Sequence, residues 1–167
     1  MQLFTVLSRH RLALGIALLL LPIAGWGQES AGHKATLKGV GIVEVVVEAM
    51  DPNAERDGLT HSELQTEVEA RLRQAGITVG SNLTGHLYVT VDTAKGDKGQ
   101  TYAYNVEVEY VQQVVLPRDP QAPIYVPTWE TGGVGLIGAD RLREVRQDVA
   151  NYVDQFIKAY LEQNPKR

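Results

Sequence analysis

Residues 86–110, HLYVTVDTAKGDKGQTYAYNVEVEY, contain the pattern that decides the fold. Leu87, Val89 and Val91 alternate with polar residues, which is typical of a strand with one buried face. The run from Tyr102 to Tyr110 repeats this alternation, and a polar loop with two glycines, residues 94–100, separates the two runs. Two alternating runs joined by such a loop predict an antiparallel hairpin.

A helix and two further strands are predicted before this hairpin. Residues 40–50 are rich in β-branched side chains and predict a strand, and residues 77–79 form a short apolar piece. Between them, Thr60 and Glu63 form a capping box, which predicts a helix that begins at His61. The apolar stripe of this helix consists of Leu64, Val68 and Leu72.

The C-terminal part of the chain predicts a last strand, a glycine-rich turn and a long helix. Pro127 lacks a backbone donor, so the strand over residues 124–131 is expected at an edge of the sheet. The three prolines in residues 117–123 are expected to prevent a strand there. Residues 132–138 (GGVGLIG) are interpreted as a flexible turn, and Asp140 as the cap of the closing helix.

These elements predict an α+β fold, a two-layer sandwich with the order β-α-β-β-β-β-α. The sheet is expected to have four or five mainly antiparallel strands, with both helices on one of its faces. We expect one domain over residues 37–165, preceded by a flexible leader over residues 28–36.

The first 27 residues have the pattern of a secretory signal peptide. Arg9 and Arg11 precede an apolar run, and small residues at positions 25 and 27 predict cleavage after Gly27. The apolar stretch, Leu12–Ala24, is shorter than the roughly 20 residues that span a bilayer. We therefore expect an exported protein, periplasmic or extracellular. The alternative is an uncleaved anchor, the one case in which a membrane partner is expected.

The composition excludes several classes of function. The chain has no cysteine, which excludes disulfides, thiol nucleophiles and Cys-ligated metals. Its 16 basic and 20 acidic residues give a net charge of −4, and removal of residues 1–27 would leave −6. Such a charge argues against a nucleic-acid partner. We expect no cofactor.

Four segments carry a resemblance to known proteins: Tyr102–Asn105 (YAYN), Thr128–Glu130 (TWE), Gly133–Gly135 (GVG) and the closing Asn164-Pro165. Together they resemble a family of small, uncharacterised, exported bacterial α+β proteins. The arrangement of two helices on one sheet is also similar to the N-terminal domain type of TolB. The resemblance implies this fold and a bacterial envelope location, and it implies no activity and no catalytic residue.

Three patterns suggest chemistry. Gly133–Gly138 matches G-x-G-x-x-G, but no second parallel strand follows, so we reject a dinucleotide site. The oxygen-bearing residues of the 51–57 loop are spaced like calcium ligands, although the glycine and the bidentate acid that a calcium loop needs are absent. The weak metal candidates are Asp51, Asn53, Glu55 and Asp57. Paired carboxylates on strands, Glu107 with Glu109 and Glu44 with Glu48, favour a solvated sheet face over acid–base catalysis.

The aromatic residues provide the binding candidates. Trp129 lies on the predicted edge strand, where a partly exposed Trp would contact a partner. The alternative is a Trp that simply covers the end of the sheet. Tyr88, on the polar face of its strand, and Glu130 complete the candidate set.

The sequence thus predicts a non-enzymatic binding module of the cell envelope, which acts through an exposed sheet face or edge on an envelope protein or a small ligand. The alternative is a calcium-dependent module or a small exported enzyme that uses the Asp51–Asp57 loop or the paired carboxylates.

Overall fold

The predicted hairpin forms the centre of a five-stranded sheet in the computed structural model, which describes residues 31–165. The antiparallel register sets Leu87 opposite Tyr110 and Val91 opposite Val106. These residues are buried, as the alternation predicts.

The sheet contains strands β1 (Ile42–Val47), β2 (Thr78–Val79), β3 (Gly85–Lys95), β4 (Thr101–Leu116) and β5 (Asp119–Gly138). Their spatial order is β2-β1-β3-β4-β5. The helices are α1 (Ala31–Ala35), α2 (Pro52–Arg56), α3 (His61–Gln74) and α4 (Val145–Gln163), and a 3₁₀ helix at Ala139–Glu144 leads into α4. None of the helices between residues 31 and 165 is long and apolar enough to cross a bilayer.

The predicted α+β class is confirmed, and the finer description needs correction. The sheet is mixed, because β1 runs parallel to both β2 and β3 while β3, β4 and β5 are antiparallel. From β1 the chain crosses over through α3 and enters β2 in the same direction as β1. Strands β1 and β2 are therefore parallel. Two short helices, α1 and α2, change the predicted helix count and order.

Both short helices lie where irregular chain was expected. Asp51 caps α2 by accepting hydrogen bonds from the backbone N–H groups of Asn53 and Ala54, and Pro52 occupies the first turn. Helix α1 lies within the segment predicted as a flexible leader, and Leu37, two residues after its end, is fully buried. The predicted signal peptide lies outside the described residues.

Strand β5 is longer at both ends than the sequence predicts. The chain reverses at Pro117 and Arg118, and the prolines that follow are tolerated because β5 is the edge strand, as the sequence predicts. Thr128 is the extra residue of a bulge between the pairs Val111–Pro127 and Tyr110–Trp129.

The glycine-rich residues 132–138 continue β5 instead of forming a turn. They pair with β4 as far as Gly138. A Cβ at Gly133 would overlap the Tyr152 hydroxyl, and a Cβ at Gly135 would overlap the Tyr104 ring. The glycines therefore make room for two tyrosines and are not flexible hinges. Asp140 accordingly lies in the 3₁₀ helix and does not cap α4.

The core lies between the sheet and the two long helices. Helix α3 contributes the predicted stripe of Leu64, Val68 and Leu72, all buried. On α4, Phe156 stacks on Tyr110 at 5.6 Å between ring centroids and meets Trp129 edge-on at 5.3 Å. Because alternate strand residues point toward these helices, the residues between them form the opposite face of the sheet.

Candidate binding face

The open face is the sheet surface opposite α3 and α4. Its side chains come from alternate positions of four strands and were expected to be solvated. They include Glu44, Val46 and Glu48 at β1, His86, Tyr88, Thr90, Asp92 and Ala94 on β3, Ala103, Asn105, Glu107 and Glu109 on β4, and Glu130, Val134 and Leu136 on β5.

The strand register brings two of the three predicted binding residues into one row. Tyr88 is opposite Glu109, and Glu109 is in turn opposite Glu130. Opposite residues on one face have Cβ atoms about 4.5–5.5 Å apart. Tyr88 and Glu130 are thus neighbours of Glu109, which is predicted as part of a carboxylate pair and not as a binding residue.

This row carries negative charge that none of the fifteen open-face residues named above balances. Partial burial, reinforced by the neighbouring carboxylates of Glu107 and Glu130, raises the pKa of Glu109. Burial followed by the charge of Glu48 likewise raises the pKa of Tyr88. The fifteen open-face positions named above include no Lys or Arg. A bound cation would relieve the repulsion within the row.

Further along the same face, the surface becomes apolar and concave. Ala94, Ala103 and Leu136 form one row, and Asp92, Asn105 and Val134 form the next. These six residues line most of a depression of about 720 Å³. The lining includes the small side chains of both alanines. The side chains on its outer side, Val134 and Leu136, are 84% and 82% exposed.

This apolar end does not follow from the prediction of a turn over residues 132–138. The signal was present, since Val134 and Leu136 are two residues apart and are separated by a glycine. That spacing puts both on one face of a strand.

The prediction of Trp129 as an exposed contact is wrong. Its side chain is 1% exposed and packs in the core against Phe156. The alternation along β5 gives the reason: when Glu130 faces outward, its neighbour Trp129 must face the helices.

The candidate metal loop does not converge on a point. Asp51 caps α2, and the side-chain oxygen of Asn53 accepts a hydrogen bond from Arg56. The Glu55 carboxylate accepts a hydrogen bond from the backbone N–H of His61 at 3.4 Å. Within residues 31–165 no group of three or more acidic or histidine side chains is placed to hold a metal.

Asp57, the last member of that loop, fastens α2 to the hairpin. Its Oδ2 accepts from Lys95 Nζ at 2.6 Å and from the Tyr102 hydroxyl at 2.7 Å. The hydrogen bond from Lys95, and then that from Tyr102, lowers the pKa of Asp57. This carboxylate has a structural role.

The paired carboxylates and the glycine motif are the remaining candidate chemistry. The pairs Glu107 with Glu109 and Glu44 with Glu48 lie on the open face, where Glu107 and Glu48 are exposed and Glu109 and Glu44 are half-buried. The G-x-G-x-x-G segment lies inside β5, so its N–H groups do not form the helix N-terminus that a phosphate site uses.

No protein-family model matches the chain, and the comparison with curated proteins finds no match.

Proposed function

We propose that the protein is an exported, non-enzymatic interaction module of the cell envelope, and that its open face binds a basic, partly apolar segment of a partner protein. One observation carries the proposal: the acidic row through Tyr88, Glu109 and Glu130 continues into a depression flanked by the exposed Val134 and Leu136. The predicted signal peptide and the resemblance to exported bacterial proteins support the location.

Charge is the first argument for a basic partner. Like charges on directly opposite strand residues destabilise a sheet. Glu130 lies directly opposite Glu109, and Glu107 lies two residues away on the same face of β4. The carboxylates of both neighbours, after burial, raise the pKa of Glu109, and the fifteen open-face positions named above supply no balancing cation. Lys or Arg from a partner would remove that repulsion and gain charge-assisted hydrogen bonds.

Exposed apolar area is the second argument. Val134 and Leu136 are among the most exposed large apolar side chains of the described residues, and they lie beside a concave surface. Burial of apolar surface contributes roughly 25 cal/mol per Å², so apolar side chains of the partner would be stabilised there. A partner segment with cations over the acidic row and apolar side chains over the depression would interact with both parts of the open face.

Binding of a synthetic peptide of alternating Lys and Leu tests the proposal, with a peptide of alternating Glu and Leu as the comparison. Titration calorimetry on the full chain should show binding of the Lys peptide, weakened by salt, and none of the Glu peptide. The double variant Glu109→Gln with Glu130→Gln should raise the dissociation constant about fivefold, because each surface ion pair contributes about 0.5 kcal/mol.

A matched control removes the same charge from the helical side. Glu67 and Glu144 form ion pairs with Arg71 and Arg141, away from the open face. The double variant Glu67→Gln with Glu144→Gln should bind the Lys peptide as the unchanged chain does. Equal affinity for both peptides, or equal loss in both double variants, would show that the open face is not the binding surface.

A further inference from the structure

A polar cavity lies at the other end of β3 and β4 from the open-face depression. Its lining comes from residues 38–42, which lead into β1, from Asn82 and Thr84 before β3, and from Tyr110 and Gln112 of β4. Its volume of about 330 Å³ is at the lower end of the roughly 300–1,000 Å³ that small-molecule sites occupy. The depression and the polar cavity share no residue, so a ligand of this cavity is independent of the peptide proposed for the open face.

Tyr110 reaches the polar cavity with its hydroxyl group. Its ring stacks on Phe156 in the core and the residue is 1% exposed, so the hydroxyl end is the part that lines the cavity. Thr128 Oγ1 donates to the backbone oxygen of Tyr110, but within residues 31–165 no group accepts the hydroxyl proton. Buried tyrosine hydroxyls usually have a hydrogen-bond partner, so this proton points to a ligand oxygen.

The Tyr110 hydroxyl is a donor at neutral pH. Burial, and then the neighbouring Tyr160, raises the pKa of Tyr110 to about 12, against the opposite effect of a hydrogen bond with Asn82. A hydrogen bond that lowers this pKa is donated to the tyrosine oxygen, so Asn82 does not accept the proton. The hydroxyl therefore keeps its proton and offers it to an acceptor in the cavity.

The lining of the polar cavity includes one cation and no acid. Lys38 is exposed, and none of the nine lining residues is Asp or Glu. No ion pair within residues 31–165 includes Lys38. A carboxylate suits both groups, because it accepts from a tyrosine hydroxyl and pairs with an ammonium group in charge-assisted hydrogen bonds.

Gln112 adds a hydrogen-bond acceptor to the cavity. Its amide nitrogen donates to the backbone oxygen of Thr36 and to Thr128 Oγ1. In the described part of the chain no donor bonds its amide oxygen, which has two lone pairs to offer. Only two lining residues, Val40 and Ile42, have apolar side chains beyond glycine. The cavity thus suits a polar ligand with hydroxyl donors.

From these features we infer that the polar cavity binds a sugar acid, a hydroxylated monocarboxylate of about monosaccharide size. The carboxylate accepts from the Tyr110 hydroxyl and pairs with Lys38, and a sugar hydroxyl donates to the Gln112 amide oxygen. One cation in the lining matches one carboxylate.

Titration of the ¹⁵N-labelled full chain with glucuronate tests the inference, and glucose, which lacks the carboxylate, is the comparison. Glucuronate should change the amide chemical shifts of Gly39, Gly41 and Thr84 and saturate in the millimolar range, because a ligand of this size makes few contacts. Glucose should bind about tenfold more weakly, since it loses the hydrogen bonds to a charged acceptor.

Two tyrosines of β4 provide matched variants. Tyr110→Phe keeps the ring in the core and removes the hydroxyl, so it should raise the dissociation constant for glucuronate about tenfold. Tyr102→Phe removes a hydroxyl that donates to Asp57 at the other end of the strand. It should bind glucuronate as the unchanged chain does, and circular dichroism melts of both variants verify that they fold. Lys38→Gln should also weaken binding, whereas Lys98→Gln, in the exposed hairpin loop, should not.

Three results would overturn the inference: no saturable change with glucuronate, equal affinity for glucose and glucuronate, or equal glucuronate affinity in Tyr110→Phe and Tyr102→Phe. Glucuronate should leave the binding of the Lys–Leu peptide unchanged, because the two sites share no residue. The sugar-acid site and the proposed function can therefore fail separately.

Discussion

The direction of each side chain along a strand decides what this molecule presents to its surroundings. Trp129 and Glu130 are neighbours, yet one lies in the core and the other on the open face. Strand alternation alone forbids that both belong to one surface, so the sequence contained the information needed to separate them. The alternation does not predict the bulge at Thr128, and this bulge determines which face of the sheet each of the two residues occupies.

Glu109 provides a prediction at the level of one residue. Its raised pKa means that the folded state favours the protonated carboxyl, so this stabilisation is full below pH 4.5 and is lost as the pH rises through the raised pKa. Glu109→Gln, which cannot ionise, should therefore stabilise the protein at pH 7 by about 0.5 kcal/mol, within the range for cross-strand pairs.

Thermal melts of Glu109→Gln and the unchanged chain at pH 7 and pH 4 measure this effect. The difference should be present at pH 7 and vanish at pH 4. Glu67→Gln, which removes an acid paired with Arg71, should give no gain at pH 7. A gain of the same size at both pH values would show that charge is not its cause.

At the scale of elements, local signals predicted some parts of the fold well and others poorly. The Thr60 cap and the apolar stripe of α3 depend on residues close together in sequence, and the structure confirms both. The sheet is different, because the pairing of β1 with β2 and β3 depends on residues distant in sequence. Local sequence predicts breaks at the prolines and glycines of β5, because their tolerance in a strand depends on the edge position and on tyrosines from other elements.

Gly135 tests this interpretation of β5. A Cβ at this position would overlap the Tyr104 ring, whose hydroxyl donates to Asp148 at 2.6 Å and ties β4 to α4. Gly135→Ala should therefore destabilise the protein by about 1–3 kcal/mol, the usual cost of overpacking. Denaturant unfolding measures the change.

Gly41→Ala is the control for that substitution, because a Cβ there meets no atom within 4 Å. It should change the free energy of unfolding by less than about 0.5 kcal/mol. If Gly135→Ala is equally neutral, the glycines of β5 do not serve to accommodate the tyrosines.

The two faces of the sheet differ in what covers them. One face buries an aromatic cluster under α3 and α4, and Asp57 fastens α2 beside it. The other face leaves its acids and its two exposed β5 side chains uncovered. The sequence predicted that such a face would exist, but the row through Tyr88, Glu109 and Glu130 and its apolar continuation follow from strand register, which residues distant along the chain determine.

The most direct measurement is an amide chemical-shift map of the ¹⁵N-labelled full chain during titration with the Lys–Leu peptide. The largest changes in amide chemical shift should occur in β3, β4 and β5, at Tyr88, Glu109, Glu130 and Val134. The amide chemical shifts of α3 and α4 should not change. Shifts confined to the helices, or none at a saturating peptide concentration, would contradict the assignment of binding to the open face.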